Sequence, residues 1–248
     1  MPSVAAPVFG LWSLPLFRIR DNSPMEHPRT RIKVCGFTRE QDIDAAVEAG
    51  IDAAGFVLYA PSPRAVTPQR AAELARRLPP FVTPVLLFVN ADDALLAEAA
   101  EAVPQALWQF HGDETPERCD AVTGNGRRPY LRAARIPLGD DAPRFDLLEF
   151  IHLYSNAQAI LLDAHVDGYG GGGKAFNWSQ LPTNVDARLV LSGGLTPANA
   201  GDGVRLLRDR CKSLSVDVSS GVESAKGIKD ADKIRAFVAA VRAADSTP

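Results

Sequence analysis

From Arg31 onward the chain alternates short, almost continuous apolar runs with stretches of helical periodicity, eight times over. "IKVC" precedes "REQDIDAAVEAG", where Ile43, Ala46 and Val47 share a face and Gly50 supplies a stop. "AAGFVLY" precedes "TPQRAAELARRLPP", where Thr67 is suited to cap a helix and Pro68 to start it. The pattern continues with "VTPVLLFV" and "ADDALLAEAAEAV", "ALWQF" and "TPERCDAVTG", then "YLRAARI" and "FDLLEFIHLYS". It closes with "AQAILLD" and "WSQLP", "ARLVLSGG" and "TPANAGDGVRLLR", and "SLSVDVSSG" and "KDADKIRAFVAAVRAA". Strands this short and apolar are buried on both faces, which calls for a parallel sheet covered by helices. Eight units in 248 residues fit a closed (β/α)8 barrel of the TIM type, which takes about 250. An open, doubly wound sheet is the rival arrangement.

Apolar residues make up 46% of the chain, enough for a sizeable core. A net charge of -3 offers no basic excess for neutralising phosphates, so nucleic acid is not an expected partner. Cys35, Cys119 and Cys211 form no CxxC pair, which argues against a disulfide framework or structural zinc and for a reducing, cytoplasmic setting. His27, His111, His152 and His165 are scattered, so no metal is expected. The apolar run "VAAPVFGLWSLPLF" lacks a preceding basic residue, is broken by proline, and is too short to span a membrane. Residues 1–30 read as an N-terminal extension, disordered or reflecting a start upstream of Met25, and residues 31–248 as a single barrel domain.

Barrel chemistry gathers at the C-terminal strand ends. That rule selects Cys35, Tyr59 to Arg64, Gln109 to His111, Asp163, Ser192 to Gly194 and Asp217 to Gly221. In "LSGGLTPANA", Gly193 and Gly194 allow close backbone approach, and Thr196 and Pro197 look like a helix start. "VDVSSGVE" offers Ser219, Ser220 and Gly221 in a second tight turn, with a short extra helix. Glycine-rich turns after strands seven and eight together point to a phosphate site. "GYGGGGKA" imitates a P-loop, but Ala175 stands where the magnesium-binding hydroxyl belongs. Those glycines read instead as a loop folding over the mouth.

Asp163 ends the strand-six run and Cys35 the strand-one run, so a barrel sets a carboxyl and a thiol on separate sides of a substrate. Such a pair can deliver a proton on one side and remove one on the other. A plain loop aspartate and a buried filler cysteine are the bland readings. Arg64 can grip a carboxylate with two parallel hydrogen bonds, or be a surface arginine in the proline-rich turn "YAPSPRAVTP".

Taken in order, "IKVCGFT", "GFVLYAPSPRAV", "VLLFVN", "WQFHGDE", "LLDAHVDGYGGGGKAFNW", "LVLSGGLTPANA" and "VDVSSGVESAKGIKDADKI" resemble the phosphoribosylanthranilate isomerases of tryptophan biosynthesis, over about Arg31 to Ala244. The resemblance implies a barrel enzyme, without cofactor or metal, performing an Amadori rearrangement of N-(5-phosphoribosyl)anthranilate. By position it makes Cys35 the general base, Asp163 the general acid and Arg64 the carboxylate grip. It places Gly193, Gly194, Ser220 and Gly221 at the phosphate and Asp217 at a ribose hydroxyl. Gln109, His111 and Arg132 are expected to face the mouth, and Gly36 to leave room beside Cys35. The starting state it implies has Asp163 protonated and desolvated, and Cys35 ionised among positive charges. Asn177 departs from the usual aspartate at a loop anchor. A small-molecule phosphosugar is the expected partner, and the chain is expected to be a monomer or homodimer. The alternatives are a phosphosugar isomerase of histidine biosynthesis, disfavoured because Cys35 stands where that relative has a carboxylate, an aldolase-type barrel, and a non-catalytic phosphosugar binder.

Overall fold

The computed structural model describes residues 29–138, 145–164 and 177–246. Residues 1–28 and the "GYGGGG" loop with Lys174, both singled out in the sequence, lie outside the described residues. Eight parallel strands close a barrel in chain order. They are β1 (Arg31–Cys35), β2 (Ala53–Val57), β3 (Thr83–Phe88), β4 (Leu107–Phe110), β5 (Tyr130–Ile136), β6 (Ala159–Ala164), β7 (Val185–Leu191) and β8 (Cys211–Val218). Pairing of β1 with β8, Lys33 opposite Asp217, seals the ring and excludes the open sheet.

The helices outside the ring are α1 (Glu40–Ala49), α2 (Pro68–Ala75), α3 (Asp93–Ala102), α4 (Pro116–Thr123), α5 (Leu147–Leu153), α6 (Ala200–Leu207) and α7 (Ala231–Asp245). Their starts follow capping chemistry: the Thr67, Asp92, Thr115, Asp146 and Asp230 side chains each accept a backbone N–H of the first turn. Gly50 closes α1 in the left-handed region at φ 88°. Between β6 and β7, the described residues hold a single 3₁₀ turn, Trp178–Gln180.

One start differs from expectation. Helix α6 begins at Ala200, not at Thr196–Pro197. Asn199 is the reason: its Oδ1 accepts the Thr196 N–H at 2.8 Å and its Nδ2 donates to the Gly194 carbonyl at 3.0 Å. The side chain thereby folds "GLTPAN" into a turn of its own before the helix. After β8 come a 3₁₀ turn, Ser220–Val222, and an antiparallel hairpin of β9 (Glu223–Ala225) and β10 (Ile228–Lys229).

Strand alternation sorts the core into two layers. Ile32, Val34, Phe56, Leu86, Phe88, Phe110 and Tyr130 face the helices in the main cluster. Inside the ring, Cys35, Val57, Leu87 and Val89 form one small apolar group, and Ala133, Leu161 and Val190 another. Branched apolar residues normally fill a barrel interior. Here Lys33, Gln109, His111, Asp163 and Asp217 are buried on the same inward faces. Buried polar groups cost free energy unless paired, so this polar layer near the C-terminal strand ends marks the site.

Candidate active site

Cys35 ends β1 with its thiol inside the ring, 4% exposed. Gly55 faces it in the β1–β2 register, and a Cβ there would sit 2.6 Å from the Cys35 Sγ. The room for the thiol therefore comes from Gly55. Gly36, expected to provide it, is instead filled on its open side by Arg64, whose Cδ would lie 2.5 Å from an added Cβ. Gly36 also has φ 85°, a conformation that favours glycine.

Positive charge surrounds the thiol as the sequence suggested, from Lys33 and Lys229, with Arg64 in electrostatic reach. Yet burial is the largest influence and pushes the Cys35 thiol up, with Asp217 adding to it and the two lysines opposing. The expectation of an ionised resting thiol is thus not met: desolvation of a fully enclosed sulfur outweighs its cations. Asp163 is enclosed as well, at 5% exposed. Its Oδ1 accepts the Ala164 N–H at 3.0 Å, and its Oδ2 lies 2.9 Å from His111 Nε2. His111 Nδ1 lies 3.0 Å from Gln109 Nε2. An amide N–H can only donate, so this orientation makes Nδ1 the acceptor and leaves the proton on Nε2, directed at Asp163. Gln109 and His111 reach the interior as expected, joined to Asp163 in one chain. Arg132 does not. It shares its strand face with Tyr130 and Ala134, donates to the Phe110 and Gly112 carbonyls at 3.0 and 3.1 Å, and packs over the Tyr154 ring. It ties β5 to α5 behind the barrel wall.

Arg64 is neither a loose surface residue nor unpartnered. Its Nε and Nη2 each donate to Glu223 at 2.7 Å, a bidentate pair in the barrel rim. Lys229 Nζ also donates to Glu223, at 2.9 Å, and to the Ser219 carbonyl at 3.1 Å. Burial tends to raise the Glu223 carboxyl, but hydrogen bonds from Arg64 and the charge of Lys229 outweigh it and hold it below the usual carboxylate range. The hydrogen bond to Glu223 correspondingly raises Arg64. The pair uses the Nε–Nη2 side of the guanidinium.

The two glycine turns meet at the rim. Gly193 and Gly194 have φ 70° and 68°. A Cβ on Gly193 would strike the Ala164 amide at 2.4 Å, and one on Gly221 the Leu195 carbonyl at 1.9 Å. The turns after β7 and β8 thus pack backbone against backbone, with Gly193, Gly194, Ser220 and Gly221 all partly exposed. Asp217 is buried and hydrogen-bonded within the wall. Its Oδ1 accepts Lys33 Nζ at 2.8 Å, and its Oδ2 accepts the Ser192 hydroxyl at 3.4 Å.

Lys33, Gly55, Glu223 and Lys229 escaped the sequence reading. Lys33 had one signal, its i, i+2 spacing from Cys35, which sets both on one strand face. Among the described residues, no group of three or more His, Cys, Asp or Glu is placed to hold a metal ion. No described helix is long and apolar enough to cross a membrane.

A closed parallel eight-stranded ring with its buried ionisable groups at the C-terminal strand ends places this chain among the (β/α)8-barrel enzymes. The family model for N-(5'phosphoribosyl)anthranilate (PRA) isomerase matches residues 32–240, and the chain belongs to that family. An N-(5'-phosphoribosyl)anthranilate isomerase of Methylibium petroleiphilum is 63% identical over 218 residues, 88% of this chain and 96% of its own. A crystal structure of phosphoribosyl anthranilate isomerase in complex with reduced 1-(o-carboxyphenylamino)-1-deoxyribulose 5-phosphate is similar at TM-score 0.68 and 31% identity, covering 86% of this chain and 99% of that one. Monomers made from the dimeric enzyme of Thermotoga maritima are similar at TM-score 0.65 and 30% identity, with coverage of 86% and 99%.

Proposed function

We propose that Cys35 and Asp163 carry the reaction of this family from the two sides of the barrel mouth. The chain is an isomerase of tryptophan biosynthesis, converting N-(5-phosphoribosyl)anthranilate to 1-(2-carboxyphenylamino)-1-deoxyribulose 5-phosphate. Asp163 protonates the furanose ring oxygen, and the ring opens to an iminium at C1′. The iminium acidifies the C2′ proton, which the Cys35 thiolate removes to give an enolamine. Protonation at C1′ by the Cys35 thiol and loss of the C2′ hydroxyl proton to Asp163 give the ketone. Those two transfers return both groups to their starting forms.

What carries this reading is the placement of the two groups. Both are buried on inward strand ends, Asp163 on β6 held by His111, Cys35 on β1 in the space left by Gly55. Arg64, oriented by Glu223, receives the anthranilate carboxylate on its remaining edge. The amides of Gly193, Gly194, Ser220 and Gly221 receive the phosphate, the turn geometry suiting an anion. Asp217 serves through Lys33 rather than at the ribose.

Residues 31–248 form one catalytic domain, to which Arg29 and Thr30 are tied through Asp52 and Asp245, acting in the cytoplasm as a monomer or homodimer without cofactor. The test generates the labile substrate in situ and follows loss of anthranilate-type fluorescence. No turnover by the wild-type chain would sink the enzyme reading. Full activity in Cys35→Ala or Asp163→Ala would sink the assignment of the pair and leave the fold untouched.

A further inference from the structure

Lys33 is a fully enclosed cation in a position where a barrel usually holds a branched apolar side chain. Replacing a buried ion pair with well-packed apolar residues is often neutral or stabilising, so packing gives no reason for Lys33 and Asp217 to be there. Their place does. Lys33 lies two residues before Cys35 on the same inward face of β1, and its positive charge favours the ionised sulfur. Asp217, opposite in the β8 register, holds that ammonium at 2.8 Å.

Charged groups of several elements, among the described residues, enter the balance at the sulfur. From β1 comes Lys33, from β8 Asp217, from β10 Lys229, and from the segment after β2 Arg64 with its partner Glu223 on β9. The neighbouring residues of β2, Gly55 and Val57, carry no charge. Three cations thus face two carboxylates, and a Cys35 thiolate is the charge that completes the set.

We infer that Lys33 is a positioning residue for the base, its buried ammonium holding the Cys35 thiolate while Asp217 holds the ammonium. This rests on the reading of Cys35 as the base. The enclosed thiol resists ionisation, and among the cations Lys33 offsets that cost most, Lys229 adding to it. Asp217 has a double part. It keeps Lys33 charged in the interior, where burial would otherwise strip its proton, and its own charge limits how far the thiol is activated.

The test reads the thiol without turnover. Wild type is compared with Lys33→Met/Asp217→Asn, which removes the ammonium together with the carboxylate that holds it and so leaves neither charge buried alone. Alkylation of Cys35 by iodoacetamide is followed by peptide mass mapping from about pH 6 to about pH 10, a range that brackets a free thiol. Peptide mapping reads Cys35 separately from the other two thiols, which burial also pushes up, Cys119 to about 12 and Cys211 to about 11. Losing Lys33 is expected to slow Cys35 alkylation roughly tenfold at about pH 7 and to move its midpoint up by about one pH unit. Rates within roughly twofold, or a uniform slowing with an unmoved midpoint, overturn the inference. Should the double variant fail to fold by circular dichroism, Lys33→Gln/Asp217→Asn, which keeps a polar pair in the same space, is read against wild type by the same criteria. Full activity of Cys35→Ala would remove the base reading while leaving the alkylation result intact, so the two failures are distinguishable.

Discussion

Gly55 and Cys35 face each other across the β1–β2 ladder, and the side chain that Gly55 lacks is the space the thiol occupies. A methyl group there would stand 2.6 Å from the sulfur and 3.0 Å from the Cys35 Cα. Backbone cannot give way at that distance, so the strand or the thiol must move. Gly55→Ala is expected to lower kcat about 100-fold through misplacement of the base, at a stability cost of about 1–3 kcal/mol. Steady-state kinetics beside thermal unfolding checks it. A variant with full kcat would mean that the thiol's position does not matter.

Glu223 holds the Nε and Nη2 of Arg64, the proposed carboxylate grip. Glu223→Gln keeps the shape but removes the charge from a bidentate pair. The expected result is a KM for the carboxylated substrate about tenfold higher, with kcat changed less. The pair also has an acid signature. Its carboxyl is held below the usual range, so its contribution to stability is complete at neutral pH and is lost as pH falls through the lowered value. Wild type should be the more stable at neutral pH, and the gap should narrow in acid.

His111 connects Gln109 to Asp163. His111→Phe leaves Asp163 and the Gln109 amide without that partner inside the wall. We expect kcat to fall about 10- to 100-fold, while His111→Gln, which can still donate to Asp163, recovers part of it. Equal loss in both variants would show that ring volume, not the donated hydrogen bond, is what counts.

In the proposed mechanism the reactive form carries one proton between two groups, on Asp163 and not on Cys35. Activity is therefore lost on the alkaline side when the last of these protons leaves, and that loss tracks the thiol. Burial pushes the Cys35 thiol above its ordinary value, so kcat/KM of the free protein should hold until above about pH 8.5 before falling. A fall beginning below that value would contradict a desolvated thiol.

The extension is testable by truncation. A chain starting at Met25 keeps Thr30, whose amide and hydroxyl both donate to Asp245 at the end of α7. It should match the full chain in kcat/KM and in thermal midpoint. A loss of either would make residues 1–24 part of the working protein.

Periodicity carried most of the architecture, because a parallel barrel repeats one unit and each unit declares itself locally. Thr67 before Pro68 and Thr115 before Pro116 are helix starts readable from neighbours alone. That Cys35 and Asp163 sit buried at inward strand ends was legible for a similar reason: each ends an apolar run. The rest depended on partners distant in sequence. Glu223 meets Arg64 across 159 residues, through a hairpin whose strands hold three and two residues, too short to leave a pattern. In "YLRAARI" both strand faces are apolar or basic, so nothing local says that Arg132 turns outward with Tyr130. Gly36 and Gly55 look alike as letters. Only the neighbouring strand reveals that one gives room to an arginine and the other to a thiol.

The seam between β1 and β8 has a consequence for how the protein comes into being. Lys33 and Asp217 are 184 residues apart, as are Ser219 and the Cys35 carbonyl it bonds. Contacts of such high sequence separation are entropically expensive and form late. A ribosome releases the cysteine early and the aspartate near the end of synthesis, so a nascent or half-folded chain carries an ordinary thiol with no assembled charge set around it. The reactive centre exists only once the first strand has found the last, and catalytic competence is in this sense a report that the ring has closed.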